Sequence, residues 1–303
     1  MGTPEFAVPT LENLVRSGAR VAGVYTQPDR PSGRGKKTAT SPVKAFAESK
    51  GLPIFQPATL STNEVRAEFE ALHPDVLVVA AYGLILPKWT LALPPHGVLN
   101  VHPSLLPRHR GSAPVANAIL QGDEETGVTV MLVEPKVDSG PVLRTRSAGI
   151  GPRETTGELT GRLASIGAGL LVETLRDWIR GLVEPMTQDE TLATYSRKVM
   201  KADGEIDWTL PALEIDRKIR AYDPWPGSFT IWAGRRLKVV EAEALGSEVG
   251  QEGLVSRGRG EVEVQTGRGR LALKRVQLEG RRAMDVGDFL MGRPEFIGAR
   301  LGA

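Results

Sequence analysis

The stretch Asn100-Val101-His102-Pro103-Ser104-Leu105-Leu106-Pro107-Arg108-His109-Arg110-Gly111 follows a short apolar run, Gly97-Val98-Leu99. The run reads as a buried strand, so the motif begins where a strand ends. Side chains at i and i+2 of a strand share a face. The carboxamide of Asn100 and the imidazole of His102 therefore point the same way, one pleat apart. A carboxamide donor beside an imidazole suits chemistry on a carbonyl group. Open α/β sheets bind their ligands at the carboxyl ends of strands. Pro103 favours an extended His102, and Pro107 and Gly111 punctuate the loop.

Outward from this motif, strand-like and helix-like segments alternate. Val21-Ala22-Gly23-Val24-Tyr25, the apolar run at 76–81 and the set Val128, Val130 and Leu132 read as further strands. Residues 42–50 read as a helix, with Pro42 early in it and Gly51 just past its end. Residues 113–121 read as another. The pattern predicts an α/β fold, a doubly wound and mainly parallel sheet with helices on both faces. Residues 155–180 give the clearest helical periodicity, through Leu159, Leu163, Ile166, Leu170, Leu171, Leu175, Trp178 and Ile179. Thr155 and Glu158 resemble a capping box, and Gly181 sits at the stop position. Glycines at 161, 167 and 169 weaken this helix and suggest close packing.

The texture changes after Gly181. Residues 182–202 are mixed and polar and read as a linker. Beyond them, short strand-like segments at 229–232, 237–241, 253–255, 262–265 and 271–276 are separated by glycine-rich turns. These predict a small β-barrel or sandwich. The expected division is thus a catalytic domain at 1–181, a linker at 182–202 and a C-terminal β-barrel domain at 203–303.

A chain of 303 residues suits two domains. No run of eighteen apolar residues occurs, so no membrane span is expected, and no signal peptide is read at the N-terminus. Cysteine is absent, which excludes disulfides, thiol nucleophiles and cysteine-ligated metals, and agrees with a cytoplasmic protein. A net charge of +2 rules out a global basic field. Two local basic groups remain: Arg30, Arg34, Lys36, Lys37 and Lys44, and then Arg257, Arg259, Arg268, Arg270, Lys274 and Arg275. Such groups contact phosphates or simply form solvated faces.

Of the four histidines (73, 96, 102 and 109), only His102 shares a strand face with a second polar group. An acid for it is offered by Asp138, in Val137-Asp138-Ser139-Gly140-Pro141, although Asp-Ser-Gly is also an ordinary turn. Gly-x-Ser-x-Gly and His-Glu-x-x-His motifs are missing. Gly33-Arg34-Gly35-Lys36-Lys37 lacks the Walker spacing, and Gly2-Thr3-Pro4-Glu5 does not match a dinucleotide fingerprint. Trp208, Trp225 and Trp232 read as core residues.

Taken together, the chain resembles the methionyl-tRNA formyltransferase family over nearly all of its length. Gly2-Thr3-Pro4-Glu5-Phe6 is similar to the family's first turn, and residues 26–37 to its tRNA-contacting loop. Ala81-Tyr82-Gly83-Leu84-Ile85-Leu86-Pro87 and the motif at 100–111 are similar to its folate-site segments. Residues 219–227 are similar to the start of its C-terminal domain. The resemblance implies Asn100, His102 and Asp138 as catalytic residues. It implies a tetrahydrofolate site at Ser104, Leu105, Leu106, Pro107, Tyr82 and Leu84, and tRNA contacts at Arg34, Lys36 and Lys37. It implies 10-formyltetrahydrofolate as co-substrate, methionyl-initiator-tRNA as acceptor, no metal, no membrane and a cytoplasmic monomer with a Rossmann-like domain and an OB-like barrel. Arg108 and Arg110 would touch the folate tail or a phosphate, or else pair with carboxylates. In the family a strand precedes Gly-Thr-Pro-Glu-Phe, so the resemblance also implies a start upstream of Met1. Two rival readings share parts of the pattern. A formyltransferase of the same fold acting on an amino sugar or a purine precursor would share Asn100, His102 and Asp138. A non-catalytic RNA-binding module would use only the basic loop and the barrel.

Overall fold

The computed structural model describes residues 1–32, 37–258 and 260–302. It divides into two compact units. The first holds residues 1–114, 125–149 and 160–196, and the second holds 115–124, 150–159 and 197–303.

The first unit begins with α1 (Val8–Arg16), β1 (Val24–Tyr25) and a hairpin of β2 (Arg30–Ser32) with β3 (Lys37–Ala39). Then come α2 (Pro42–Ser49), β4 (Ile54–Phe55), α3 (Asn63–Ala71), β5 (Leu77–Val79) and α4 (Lys88–Ala92). β6 (Val98–His102) and β7 (Arg110–Gly111) bracket the motif loop; α5 (Pro114–Gln121), next in the chain, belongs to the second unit beyond its first residue. β8 (Glu125–Leu132), β9 (Val142–Gly149), α6 (Thr156–Ile179) and β10 (Tyr195–Ser196) come next. The main sheet has the order β5-β6-β8-β9. β5 and β6 are parallel, whereas β8 runs antiparallel to both β6 and β9. β1 and β4 form a separate parallel pair.

The Gly2 N–H donates to the Tyr25 carbonyl at 3.0 Å, and the Ala80 N–H donates to the Met1 carbonyl at 2.9 Å. Met1 and Gly2 thus join the pair to the main sheet. Beside them lies a cavity of about 400 Å³ lined by Leu11, Val21, Val24, Phe69, Leu72 and Leu77 among others. The core nearby is aromatic, with Tyr25 stacked on Phe55 at 4.8 Å and Phe69 edge-on to Trp89 at 5.5 Å.

The local signals read from the sequence have physical counterparts. Ser41 caps α2 by accepting from the Lys44 N–H at 3.1 Å, and Gly51 takes φ 63° beyond its end. The Glu158 carboxylate accepts from the Thr155 N–H at 2.9 Å, and the Thr155 hydroxyl accepts from the Glu158 N–H at 3.3 Å. Within α6, a Cβ on Gly167 would sit 2.8 Å from the Val101 side chain, so this glycine lets the helix lie close against β6. Gly161 and Gly169 have nothing within 4 Å of such a Cβ, and packing does not account for them.

The segment expected to be a linker is bonded into the first unit as far as Ser196. Met186 exchanges two backbone hydrogen bonds with Val142, and β10 pairs in parallel with β7. Part of its polar composition, Gln188, Glu190, Thr194 and Ser196, bonds to the motif loop, a use that resembles solvent exposure in sequence.

The second unit contains α7 (Ala212–Ala221), β11 (Ser228–Trp232), β12 (Arg235–Leu245), β13 (Val255–Arg257), β14 (Val262–Gln265), β15 (Arg270–Leu278), β16 (Met284–Asp285) and α8 (Val286–Met291). The strands form one antiparallel sheet in the order β11-β12-β15-β14-β13, with β16 added to β15. The sheet curls as a half-barrel; among the described residues β11 does not pair with β13, so it stays open. Its concave core holds Trp208, Ile215, Ile219, Trp232, Leu237, Leu271, Phe289 and Phe296. Trp225 departs from the expected core role and is 58% exposed. Two residues of the C-terminal basic group are held by carboxylates. Arg270 meets Glu263 at 2.7 Å and Glu248 at 3.0 Å, and Lys274 meets Glu261 and Glu243. Arg259 lies outside the described residues.

Candidate functional site

β6 positions the first two candidate residues. Val101 faces α6, so Asn100 and His102 occupy the other face of the sheet. Directly across the strand pairing lie Met131 and Thr129. Asn100 is half-buried, and among the described residues its carboxamide has no hydrogen-bond partner, which leaves both its donor and its acceptor for a ligand. His102 is 5% exposed. Its Nε2 lies 3.2 Å from the His109 carbonyl and its Nδ1 lies 3.7 Å from Asp138 Oδ2. A carbonyl only accepts, so the contact at Nε2 places the proton on that nitrogen. Burial pushes the imidazole below the ordinary histidine range, and the Asp138 charge opposes that shift only in part.

Asp138 sits in the turn after β8, at φ 48°, a conformation that costs an L-residue energy. Its Oδ2 accepts the Gly111 N–H at 2.8 Å. The structure therefore brings Asn100, His102 and Asp138 to one place, from a strand and a turn 36 residues apart (138 − 102) in sequence.

The motif loop is fixed from two sides. Thr129, fully buried, donates its hydroxyl to the Ser104 carbonyl at 2.7 Å and accepts the Leu106 N–H at 3.1 Å. Ser104 turns inward and donates to the Arg108 carbonyl at 2.7 Å. Leu105 lies against Gly127, where a Cβ would be 2.6 Å from the leucine side chain. Leu106 packs with Met131 and Val142, and the Leu106–Pro107 bond is cis. On the other side, Thr194 accepts the His109 N–H on its hydroxyl at 2.8 Å and donates its own N–H to the Pro107 carbonyl. A Cβ on Gly111 would meet the Ser196 carbonyl at 2.3 Å, so glycine is required where β7 passes β10.

Arg110 is fully buried. It donates to Gln188 Oε1 through Nε at 3.0 Å and Nη2 at 2.8 Å, and Nη2 also lies 2.8 Å from Glu190. Arg110 and Lys136 together hold the Glu190 carboxyl down to about 2. Of the two roles open to Arg110, the structure shows pairing with a carboxylate; Arg108 is exposed.

Tyr82 is buried in the aromatic core, and its carbonyl accepts from Thr3 and from Gln27. Leu84 is half-buried against the same core. Neither is bonded to the motif loop in the hydrogen-bond network. Lys37 begins β3, opposite Ser32, whereas Arg34 and Lys36 lie outside the described residues. Sequence reasoning did not find Thr129, Gln188, Thr194 or Ser196. Their partners lie 23 to 87 residues away, and no local spacing marks them. No group of three or more potential metal ligands occurs among the described residues. No helix among them is long and apolar enough to cross a membrane.

Residues 1–175 match the family described as formyl transferase, and residues 198–294 match the family described as formyl transferase, C-terminal domain. A methionyl-tRNA formyltransferase of Roseiflexus sp. (strain RS-1) is 48% identical over 306 residues, covering 100% of this chain and 94% of the relative. One from Chloroflexus aurantiacus is 47% identical, covering 96% of this chain and 95% of the relative. Among solved structures, the N-formyltransferase of Helicobacter canadensis, in complex with folinic acid and dTDP-3-aminofucose, superposes with a TM-score of 0.65 at 16% identity. That match covers 90% of this chain and 97% of the neighbour, and it shows a shared fold. With relatives this similar over their whole length, the chain belongs to the methionyl-tRNA formyltransferase family.

Proposed function

We propose that this protein transfers the formyl group of 10-formyltetrahydrofolate to the α-amine of methionyl-initiator-tRNA, with Asn100, His102 and Asp138 as its catalytic residues. The observation that carries the reading is the convergence of these three side chains at the end of β6, in a chain that matches formyltransferases named for methionyl-tRNA from end to end. The structural neighbour's folinic acid supports a folate site.

The amine nitrogen attacks the formyl carbon, the bond from that carbon to N10 breaks, and the amine proton passes to N10. An α-amine titrates near ~8, and esterification lowers that value, so near neutral pH much of it is already a free nucleophile. The barrier is then the negative charge that develops on the formyl oxygen. The unpartnered Asn100 carboxamide donates to that oxygen. His102 donates through Nε2–H when the formyl oxygen displaces the His109 carbonyl from its 3.2 Å contact. Asp138 orients the ring and supports its transient positive charge while the proton moves. Ser104, Leu105, Leu106 and Pro107 form the wall against which the folate lies, with Tyr82 and Leu84 shaping its far side through the backbone of their loop. Arg34, Lys36 and Lys37 meet the phosphates of the tRNA.

The test is formyl transfer from 10-formyltetrahydrofolate to methionyl-initiator-tRNA, with free methionine and an amino-sugar nucleotide as parallel acceptors. Product on the tRNA alone is expected. Product on the amino sugar keeps the catalytic trio and overturns the acceptor, and product on none of them from a folded sample overturns the reaction.

A further inference from the structure

Gln188 is buried, lies 50 residues from Asp138 in sequence, and spans the space between the motif loop and the Asp138 turn. Its Nε2 donates to the Asp138 carbonyl at 2.9 Å and to the Gly140 carbonyl at 2.7 Å. Its Oε1 accepts both Nε and Nη2 of Arg110. Arginine can only donate and a carbonyl can only accept, so the orientation of this amide is unambiguous. Glutamine alone among side chains of this length offers an acceptor to the guanidinium and two donors to the carbonyls.

The turn it grips is under tension from its own backbone. Asp138 is held at φ 48°, and Gly140 is so close to the Leu132 carbonyl that a Cβ would lie 1.9 Å from it. Strained conformations of this kind persist only where surrounding bonds over-determine them. Gln188 holds this one from the carbonyl side with two bonds, and the Gly111 N–H bonds to the carboxylate. Arg110, the residue before Gly111, anchors Gln188. A single buried arginine therefore ties the loop after His102 to the turn that carries Asp138.

We infer that Gln188, anchored by Arg110, is a positioning residue that sets the Asp138 carboxylate against the His102 ring. The inference rests on the catalytic reading of Asp138 given above. Because Gln188 acts through Asp138 and touches no substrate, its loss lowers kcat and leaves the KM for each substrate unchanged. Losing the alignment of a reacting constellation costs about 10- to 100-fold, and that cost vanishes once Asp138 no longer contributes.

The experiment is a double-mutant cycle. Gln188→Ala, Gln188→Met and Gln188→Glu are each made in the native chain and in an Asp138→Asn chain, with thermal unfolding and folate binding measured alongside turnover. In Gln188→Glu the acceptor for Arg110 survives and the two donors are lost. The expected result is a kcat about 10- to 100-fold lower in the native background, KM within twofold, and less than a twofold further loss in the Asp138→Asn background. Equal losses in both backgrounds overturn the inference while leaving Asp138 catalytic. Unchanged kcat in folded Gln188 variants does the same. Failure of all three variants to fold also overturns it, since the glutamine would then be a requirement of the fold. Normal turnover of Asp138→Asn alone overturns the catalytic reading and this inference with it, and is distinguishable from the other outcomes.

Discussion

At the scale of single residues, the site is defined by what each polar group already has and what it lacks. Among the described residues Asn100 lacks a partner, so its removal deletes a donor without disturbing the fold. Asn100→Ala is expected to lower kcat about 100- to 1,000-fold with an unchanged melting temperature; near-normal turnover would remove it from the mechanism. His102 is different because burial favours its neutral form. Its pKa in the folded chain lies below the unfolded value of about 6.5. Stability from this group is therefore fully present above about pH 6.5 and is lost as the pH falls through the lower folded value. The imidazole resonances should accordingly titrate below pH 6.5, and lower still in Asp138→Asn, because the aspartate charge acts to raise the histidine pKa. A titration at or above the free-histidine value would contradict the burial argument. Asn100 and His102 were legible from the sequence because a strand's two-residue period is a local signal. Asp138 was legible only as a turn. Its φ and its hold on Gly111 depend on bonds from residues far along the chain, which no window reveals.

Among elements, the motif loop is the piece whose shape matters most. It runs from the end of β6 to β7, and its backbone groups are bonded on one side by Thr129 of β8 and on the other by Thr194 and Ser196. Thr129→Val keeps the shape of the side chain and deletes both of its hydrogen bonds. The Leu106 N–H and the Ser104 carbonyl would then be buried without that partner, at about 1–3 kcal/mol. The expected outcome is a lower melting temperature together with weaker folate binding, read by thermal unfolding and by titration with tetrahydrofolate. Weaker stability with unchanged folate binding would separate the loop from the folate site.

Helices were the most legible elements, since α2 and α6 carry both their periodicity and their caps in contiguous residues. Strand direction was not legible. The alternation in β8 fits a parallel neighbour as well as the antiparallel one observed, because a two-residue period carries no polarity. β7 and β10 are two residues each, too short for any periodicity, and only their pairing defines them.

For the whole molecule, the acceptor proposal turns on where positive charge is free to act. Charge counted along the sequence places two basic groups, one at 30–44 and one near the C-terminus. In the C-terminal group, Arg270 and Lys274 together face four carboxylates, Glu243, Glu248, Glu261 and Glu263, so the charges of these two residues are balanced within the fold. In the N-terminal group Lys44 is engaged by Asp29 at 2.5 Å, and on the acceptor proposal the phosphate contacts fall to Arg34, Lys36 and Lys37. Each phosphate contact contributes a slope of about one in log affinity against log salt. Lys36→Ala should therefore raise the KM for tRNA at moderate salt and make its salt slope shallower by about one, with the KM for folate unchanged. Lys274→Ala should leave the slope as it was, because the charge it removes is already balanced within the fold. The measurement is KM for methionyl-tRNA across a salt series for both variants. The opposite pattern, a shallower slope for Lys274→Ala and none for Lys36→Ala, would move the tRNA contact from the N-terminal loop to the curled sheet.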